Sequence, residues 1–222
     1  MKKVIIFGSA QIAQLANYYL TEATNEFEVI AFTIHKKYKQ NDTIFGKPLV
    51  DFENIKDVYP PEKYYLFAPM TGKGLNKLRE EVYNQGKEKG YSFISYISKF
   101  ATILTKDIGE NCFILEDNTI QPFVKIGNNC VLWSGNHIGH HTIIKNHVFI
   151  TSHVVISGNC TIDNYCWFGV NSSIRNNLHI QEGSLISMGA CVTEDTKEYT
   201  IYLGLPAKPK GRSDDENISN KL

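Results

Sequence analysis

Five of the seven histidines in this 222-residue sequence lie in one stretch, SGNHIGHHTIIKNHVFITSHVVISGN at 134–159. Imidazole does two kinds of chemistry near neutral pH: it ligates metal ions and it moves protons. The period of the surrounding sequence decides between them. Stepping by six from Ile108 gives Ile114, Ile120, Ile126, Leu132, Ile138, Ile144, Ile150, Ile156, Ile162, Phe168, Ile174, Ile180, Ile186 and Val192, an unbroken apolar register. The residue four further on is small or modest throughout, from Cys112, Asn118 and Val124 to Ser184 and Ala190. A six-residue period held over some ninety residues predicts a hexapeptide solenoid. Six residues make one short strand and a corner, so three hexads close a triangular coil, and coils stack at roughly 4.8 Å.

That geometry sorts the histidines. His141, His147 and His153 each follow the repeat isoleucine by three on consecutive hexads, hence on three different faces of one coil. They cannot converge on one metal at ligand distances of about 2.1 Å, so no metal site is expected. His147 and His153 read as exposed polar residues facing solvent or a neighbouring subunit. Adding one coil, eighteen residues, places His140 beneath Gly158 and His141 beneath Asn159. An imidazole under a residue without a side chain sets a proton acceptor beside an available amide N–H, the pair that acyl transfer requires. The competing reading of His140 is an exposed histidine on a coil face. Cys112, Cys130, Cys160 and Cys166 fall in the small inward column and read as packing residues.

The elements that must carry this site divide in two. Residues 1–97 alternate strand and helix: VIIF (4–7), a helix with Ile12, Leu15, Ala16 and Tyr19 on one face, FEVIAFTI (27–34), YYLFAP (64–69), a helix over 71–89 with Leu75, Leu78 and Val82 on one face, and SFISYI (92–97). This predicts a small parallel α/β domain, Rossmann-like in plan. Residues 98–208 form the all-β solenoid, and 209–222 a polar tail, disordered or a short surface helix. Lys+Arg and Asp+Glu are both 23, which gives no electrostatic pull towards nucleic acid or an anionic membrane. VIIFG is too short for a signal-peptide core and no segment is long and apolar enough to span a bilayer, so a soluble cytoplasmic protein is expected.

The hexapeptide register, the segments GNHIGHH and GNCTIDNYCWFGVNSSI, and the closing YLGLPAKPKG resemble the left-handed β-helix acyltransferases. With an α/β domain in front, the chain is similar to the sialic acid O-acetyltransferase-like group, which includes N-acetyltransferases of bacillosamine- and perosamine-type nucleotide amino sugars. The resemblance implies a left-handed parallel β-helix, a homotrimer, and acetyl-CoA in the cleft between neighbouring β-helices. By motif it implies His140 as general base, with His141 beside it, and Gly158 as the amide holding the thioester carbonyl. Val170, Gly189 and the GLPAK segment with Pro206 and Lys208 match positions lining the CoA side. The implied function is N-acetylation of a nucleotide-linked amino sugar for bacterial surface glycan synthesis. The alternatives are O-acetylation of a sugar hydroxyl, transfer of another acyl group, or a solenoid that only trimerises or binds a partner.

Two departures bear on this. Members often carry an acidic residue after the base, where this chain has His141, so a second histidine or a carbonyl must orient His140. The first βα turn reads GSAQIA with one glycine, and the second strand ends in TIHKK rather than an acid, which argues against NAD. Ser9, Gln11, His35 and Lys36 are candidates to hold a nucleotide; the competing view is that the domain is a packing or trimer-edge module. Asn136 and Trp133 are candidates on the sugar side, Trp133 either stacking on sugar or pantetheine or packing at the trimer seam.

Overall fold

The computed structural model describes residues 1–219. The N-terminal part is built on β1 (Lys2–Phe7), α1 (Gln11–Glu22), β2 (Phe27–Ile34), β3 (Thr43–Ile44), β4 (Lys47–Asp51), α2 (Ile55–Val58), β5 (Tyr65–Phe67) and α3 (Lys77–Glu88). The sheet order is β3-β4-β2-β1-β5, parallel except for the β3–β4 hairpin. The VIIF run is buried on both faces, as a continuous apolar strand requires. Val4 and Ile6 point to one core with Ala13, Ala16 and Leu20 of α1, and Ile5 and Phe7 to another with Phe52, Val82 and Phe93.

Several elements differ from the sequence expectation. The hairpin turn is Phe45–Gly46, with φ of 48° and 74°, the type I′ pattern, and phenylalanine gives no turn signal at that position. Helix α3 begins at Lys77, not residue 71. Leu75 and Asn76 are left-handed, Leu78 is exposed, and the buried face is Arg79, Val82, Tyr83 and Gly86. SFISYI does not close the parallel sheet as a strand. Phe93 makes a single bridge to Leu66, and Tyr96–Ile97 pairs with Phe113–Ile114 as the first rung of the solenoid.

From Phe113 to Val192 the rungs pair in parallel with the residue eighteen further on, for example Val131 with Phe149 and His137 with Val155. The first rungs, Tyr96 with Phe113 and Thr102 with Thr119, are one residue short of that step. Three ladders result. Outward residues on face one are Phe113, Val131, Phe149 and Trp167; on face two Thr119, His137, Val155 and Ser173; on face three Lys125, Ile143, Thr161 and His179. The repeat isoleucine column and the small column fill the interior, with Ile108 half-buried at its lower end. Every sixth residue from Asn111 to Gly189 has positive φ, so each coil turns its corners through left-handed residues. Asn, Asp, Gly and His tolerate that conformation best, and this explains the corner positions of His141, His147 and His153.

The apolar residues of face one seat the N-terminal domain: Phe113, Val131 and Phe149 share a core with Val4, Ile6 and Leu20. Arg79 locks the seam. Its fully buried guanidinium donates to the carbonyls of Asn129 (2.7 Å), Val148 and Met70 (3.3 Å each) and lies over the Phe149 ring. Burial pushes its pKa down to about 10. At the upper end Thr200–Leu203 extends face one and pairs antiparallel with Lys208–Arg212. Strand structure therefore runs past residue 208, and Ser213 is buried under it. Helix α4 (Glu216–Ser219) follows, and residues 220–222 of the expected tail lie outside the described residues. No described helix is long and apolar enough to cross a membrane.

Candidate active site

His140 and Gly158 meet at the corner between faces two and three, one coil apart. A Cβ on Gly158 would lie 2.8 Å from both Cε1 and Nε2 of His140, so the ring packs where a side chain would stand. Gly139 is required just below: a Cβ there would lie 2.4 Å from the Gly158 nitrogen. The neighbouring amide, Asn159 N–H, donates to the His140 carbonyl (2.9 Å), whereas Gly158 N–H has no acceptor among the described residues. The site thus offers a free amide beside an exposed imidazole.

The question of what orients His140 has a geometric answer. Its Nδ1 lies 3.1 Å from Nδ1 of His141, and its backbone N–H donates to Gln121 Oε1 at 2.9 Å. A hydrogen bond between two Nδ1 atoms needs one proton, so the two rings hold different tautomers. With the proton on His140 Nδ1, its Nε2 presents a lone pair beside Gly158. Sequence reasoning missed Gln121 and Phe123, whose ring packs on His141 with centroids 4.6 Å apart. Both lie on the coil below the histidine pair; Phe123 is one eighteen-residue step under His141, the step that located Gly158, and Gln121 is nineteen residues before His140.

Val170, Gly189 and the GLPAK segment gather elsewhere, at the upper end of the corner between faces one and two. Gly189 N–H donates to the Val170 carbonyl, and Cys191 pairs with Gly204 and Ala207. Val170, Met188, Pro206 and Leu205 are exposed there, and Lys208 follows in the adjoining strand. This cluster and the His140 corner flank opposite edges of face two. Within one chain they do not converge.

At the carboxyl ends of the parallel strands a cavity of 330 Å³ is lined by Gly8, Ser9, Ala10, His35, Lys37, Tyr38, Thr71 and Glu81, among others. Ser9 and His35 both line it. His35 is held edge-on by Phe7 and Phe52, with Nδ1 3.1 Å from Glu53 Oε1. Gln11 lines an adjoining groove with Trp133, Phe45 and Thr71. Trp133 also packs against the N-terminal core, on the face-one side. Two candidates stand elsewhere. Lys36, whose N–H donates to Glu53 Oε2 (2.9 Å), lines a separate polar pocket with Lys39, Asp42 and Asp51, while Lys37 and Tyr38 line this cavity. Asn136 is buried in the inward column, donating to the Trp133 carbonyl and accepting from Val154 N–H at 2.7 Å, so it braces the coil wall and cannot touch substrate.

His147 is also corrected. It is buried rather than facing solvent, stacked on Tyr165 with centroids 5.4 Å apart and planes at 9°. A directional chain fixes it: Ala68 N–H donates to Asn111 Oδ1, Asn111 to Asn129, and Asn129 to His147 Nδ1, leaving Nε2 towards Glu80 at 3.4 Å. Burial lowers its pKa. His153 is exposed, and the three corner histidines stand on three separate corners. Cys160, near the site, is sequestered. Its thiol lies inside the prism, 3.3 Å from the Arg175 carbonyl, and burial raises its pKa, which disfavours the nucleophilic thiolate.

Such a prism, with an α/β domain on one face, has the left-handed parallel β-helix fold of sugar acetyltransferases. The bacterial transferase hexapeptide (six repeats) family matches residues 107–140 and 123–158. Among solved structures, the chain is similar to the acetyltransferase domain of PglB from Neisseria gonorrhoeae (17% identity, TM-score 0.82, covering 95% of this chain and 100% of that one). That domain is also described in complex with acetyl coenzyme A. Comparable similarity extends to a mutant of perosamine N-acetyltransferase from Caulobacter crescentus in complex with CoA and GDP-perosamine (19%, TM-score 0.81, 95% and 98%). WeeI from Acinetobacter baumannii is a third such structure (18%, TM-score 0.78, 95% and 100%).

Proposed function

We propose that the chain is an acetyl-CoA-dependent N-acetyltransferase acting on a nucleotide-linked amino sugar, with His140 as general base. The observation that carries this is the His140 imidazole lying against Gly158, whose amide has no acceptor among the described residues. In the proposed reaction the sugar amine attacks the thioester carbonyl while His140 Nε2 accepts its proton. The Gly158 N–H donates to the oxygen as it becomes an oxyanion, and collapse expels the CoA thiolate, which the imidazolium protonates. No acyl-enzyme is formed, consistent with the inward placement of Cys160.

The nucleotide is assigned to the cavity at Ser9 and His35, with the sugar leaving along the Gln11–Trp133 groove, and pantetheine to the Val170–Gly189–Pro206–Lys208 cluster. Because that cluster and His140 border opposite edges of face two, the complete site needs a neighbouring subunit. A homotrimer supplies it in the closed symmetry expected of such contacts. A cytoplasmic role in making bacterial surface glycan follows from the acceptor class, in line with the GDP-perosamine bound by a structural neighbour.

Thiol release from acetyl-CoA against a panel of nucleotide amino sugars and neutral sugars tests the assignment. Amines are expected to support turnover; release with hydroxyl acceptors alone would refute it. Gly158→Ala sets a methyl group 2.8 Å from the catalytic ring. Displacing the base by a fraction of an ångström is expected to cut kcat about 10- to 100-fold in the same assay. Ser9→Trp fills the nucleotide cavity and is expected to raise KM for the nucleotide sugar about tenfold or more, with KM for acetyl-CoA unchanged.

A further inference from the structure

Phe123 occupies a left-handed corner with φ of 66°, a conformation sterically disfavoured for a bulky side chain, and it is 68% exposed. The residues stacked above it along the same edge, His141, Asn159 and Asn177, are types that tolerate that conformation. Two tyrosines of the solenoid share this conformation and have partners: Tyr165 places its hydroxyl on Glu80 and stacks on His147, and Tyr199 donates to Glu182. Phe123 lies in none of the three cores, and the aromatic ring it meets is that of His141.

We infer that Phe123 is a positioning residue for the His140–His141 pair, fixing which imidazole nitrogen of His140 is left unprotonated. This rests on the assignment of His140 as base. The Phe123 ring, tilted 35° to His141, restricts rotation of His141 about its own side chain. His141 Nδ1 then stays 3.1 Å from His140 Nδ1 and accepts a hydrogen bond from its N–H, while Gln121 holds the His140 backbone from below. The lone pair on His140 is thereby kept on Nε2, the nitrogen facing Gly158. Without the phenyl ring, His141 turns out into solvent and His140 becomes an ordinary exposed imidazole that populates both tautomers.

The test compares wild type, Phe123→Asn and Phe123→Tyr by nitrogen NMR of histidine-labelled protein, with signals assigned from His140→Asn and His141→Asn. Asparagine suits the left-handed corner, so the melting temperature is expected to stay level or rise. In wild type and Phe123→Tyr, His140 is expected to show the Nδ1–H tautomer; in Phe123→Asn it moves to the averaged shifts of a free imidazole. In parallel, kcat for thiol release is expected to fall about tenfold in Phe123→Asn, with KM for acetyl-CoA unchanged and Phe123→Tyr near wild type. His140 nitrogen shifts that are the same in Phe123→Asn and wild type, whatever the assembly state, would overturn the inference. If the wild-type protein transfers acetyl to no acceptor, the proposed function fails, and the nitrogen shifts still decide the role of Phe123.

Discussion

His140→Asn is expected to lower kcat for thiol release by about 10²- to 10⁴-fold while leaving the melting temperature and assembly unchanged. The magnitude is that of a positioned general base. Asparagine can keep the contact to His141 but has no nitrogen basic enough to take a proton from an ammonium-derived amine. His140 is exposed and contributes to no core, so folding has nothing to lose. KM for acetyl-CoA should change little, because the thioester carbonyl is assigned to the Gly158 amide. Steady-state kinetics together with a thermal melt separate the two contributions.

The largest effect on stability is expected at Phe168, not at the site. Its ring is fully buried in the interior column where the flanking rungs carry isoleucine, Ile150 below and Ile186 above. Phe168→Ala removes the largest fully buried side chain of that column from a close-packed prism whose rungs are fixed by backbone ladders and cannot collapse inward. Loss of transfer energy and the residual cavity together should cost about 3–5 kcal/mol in urea-induced unfolding. Coils in a solenoid are stabilised by their neighbours, so the loss is expected to spread to the adjoining coils as local opening. Hydrogen exchange at Trp167 and Leu185 measures that spread.

The solenoid was legible because its interior is periodic. Two inward residues per six and one pairing partner per eighteen leave no freedom of register, and His140–Gly158 followed from the same arithmetic. Most left-handed corners carry Asn, Asp, Gly or His three after the repeat apolar residue, with Phe123 and Tyr165 as exceptions, and the histidines among them drew a chemical explanation instead. His147 was misplaced for a related reason. Its position in the coil is set by the repeat, yet its burial depends on α3, whose Glu80 and Arg79 come from a different domain. Arg79 itself carries no sequence signal of burial, since it looks like any helical surface arginine. Asn136 shows the opposite error: its place in the inward column already implied a bracing role, and nothing in the chain supported a contact with sugar. The β3–β4 hairpin was hidden because Phe45 takes the left-handed turn position usually held by asparagine or glycine.

The claim on which the functional account depends is that one subunit's His140 corner works with the neighbour's Val170 corner. Complementation between His140→Asn and Val170→Trp, each inactive alone, tests it directly. Chains refolded together in equal amounts should recover about a quarter of wild-type thiol release, since a site is intact only when each corner comes from the variant that preserves it. A mixed population that stays as inactive as its parents, with mixed assemblies verified by mass, would contradict a shared site.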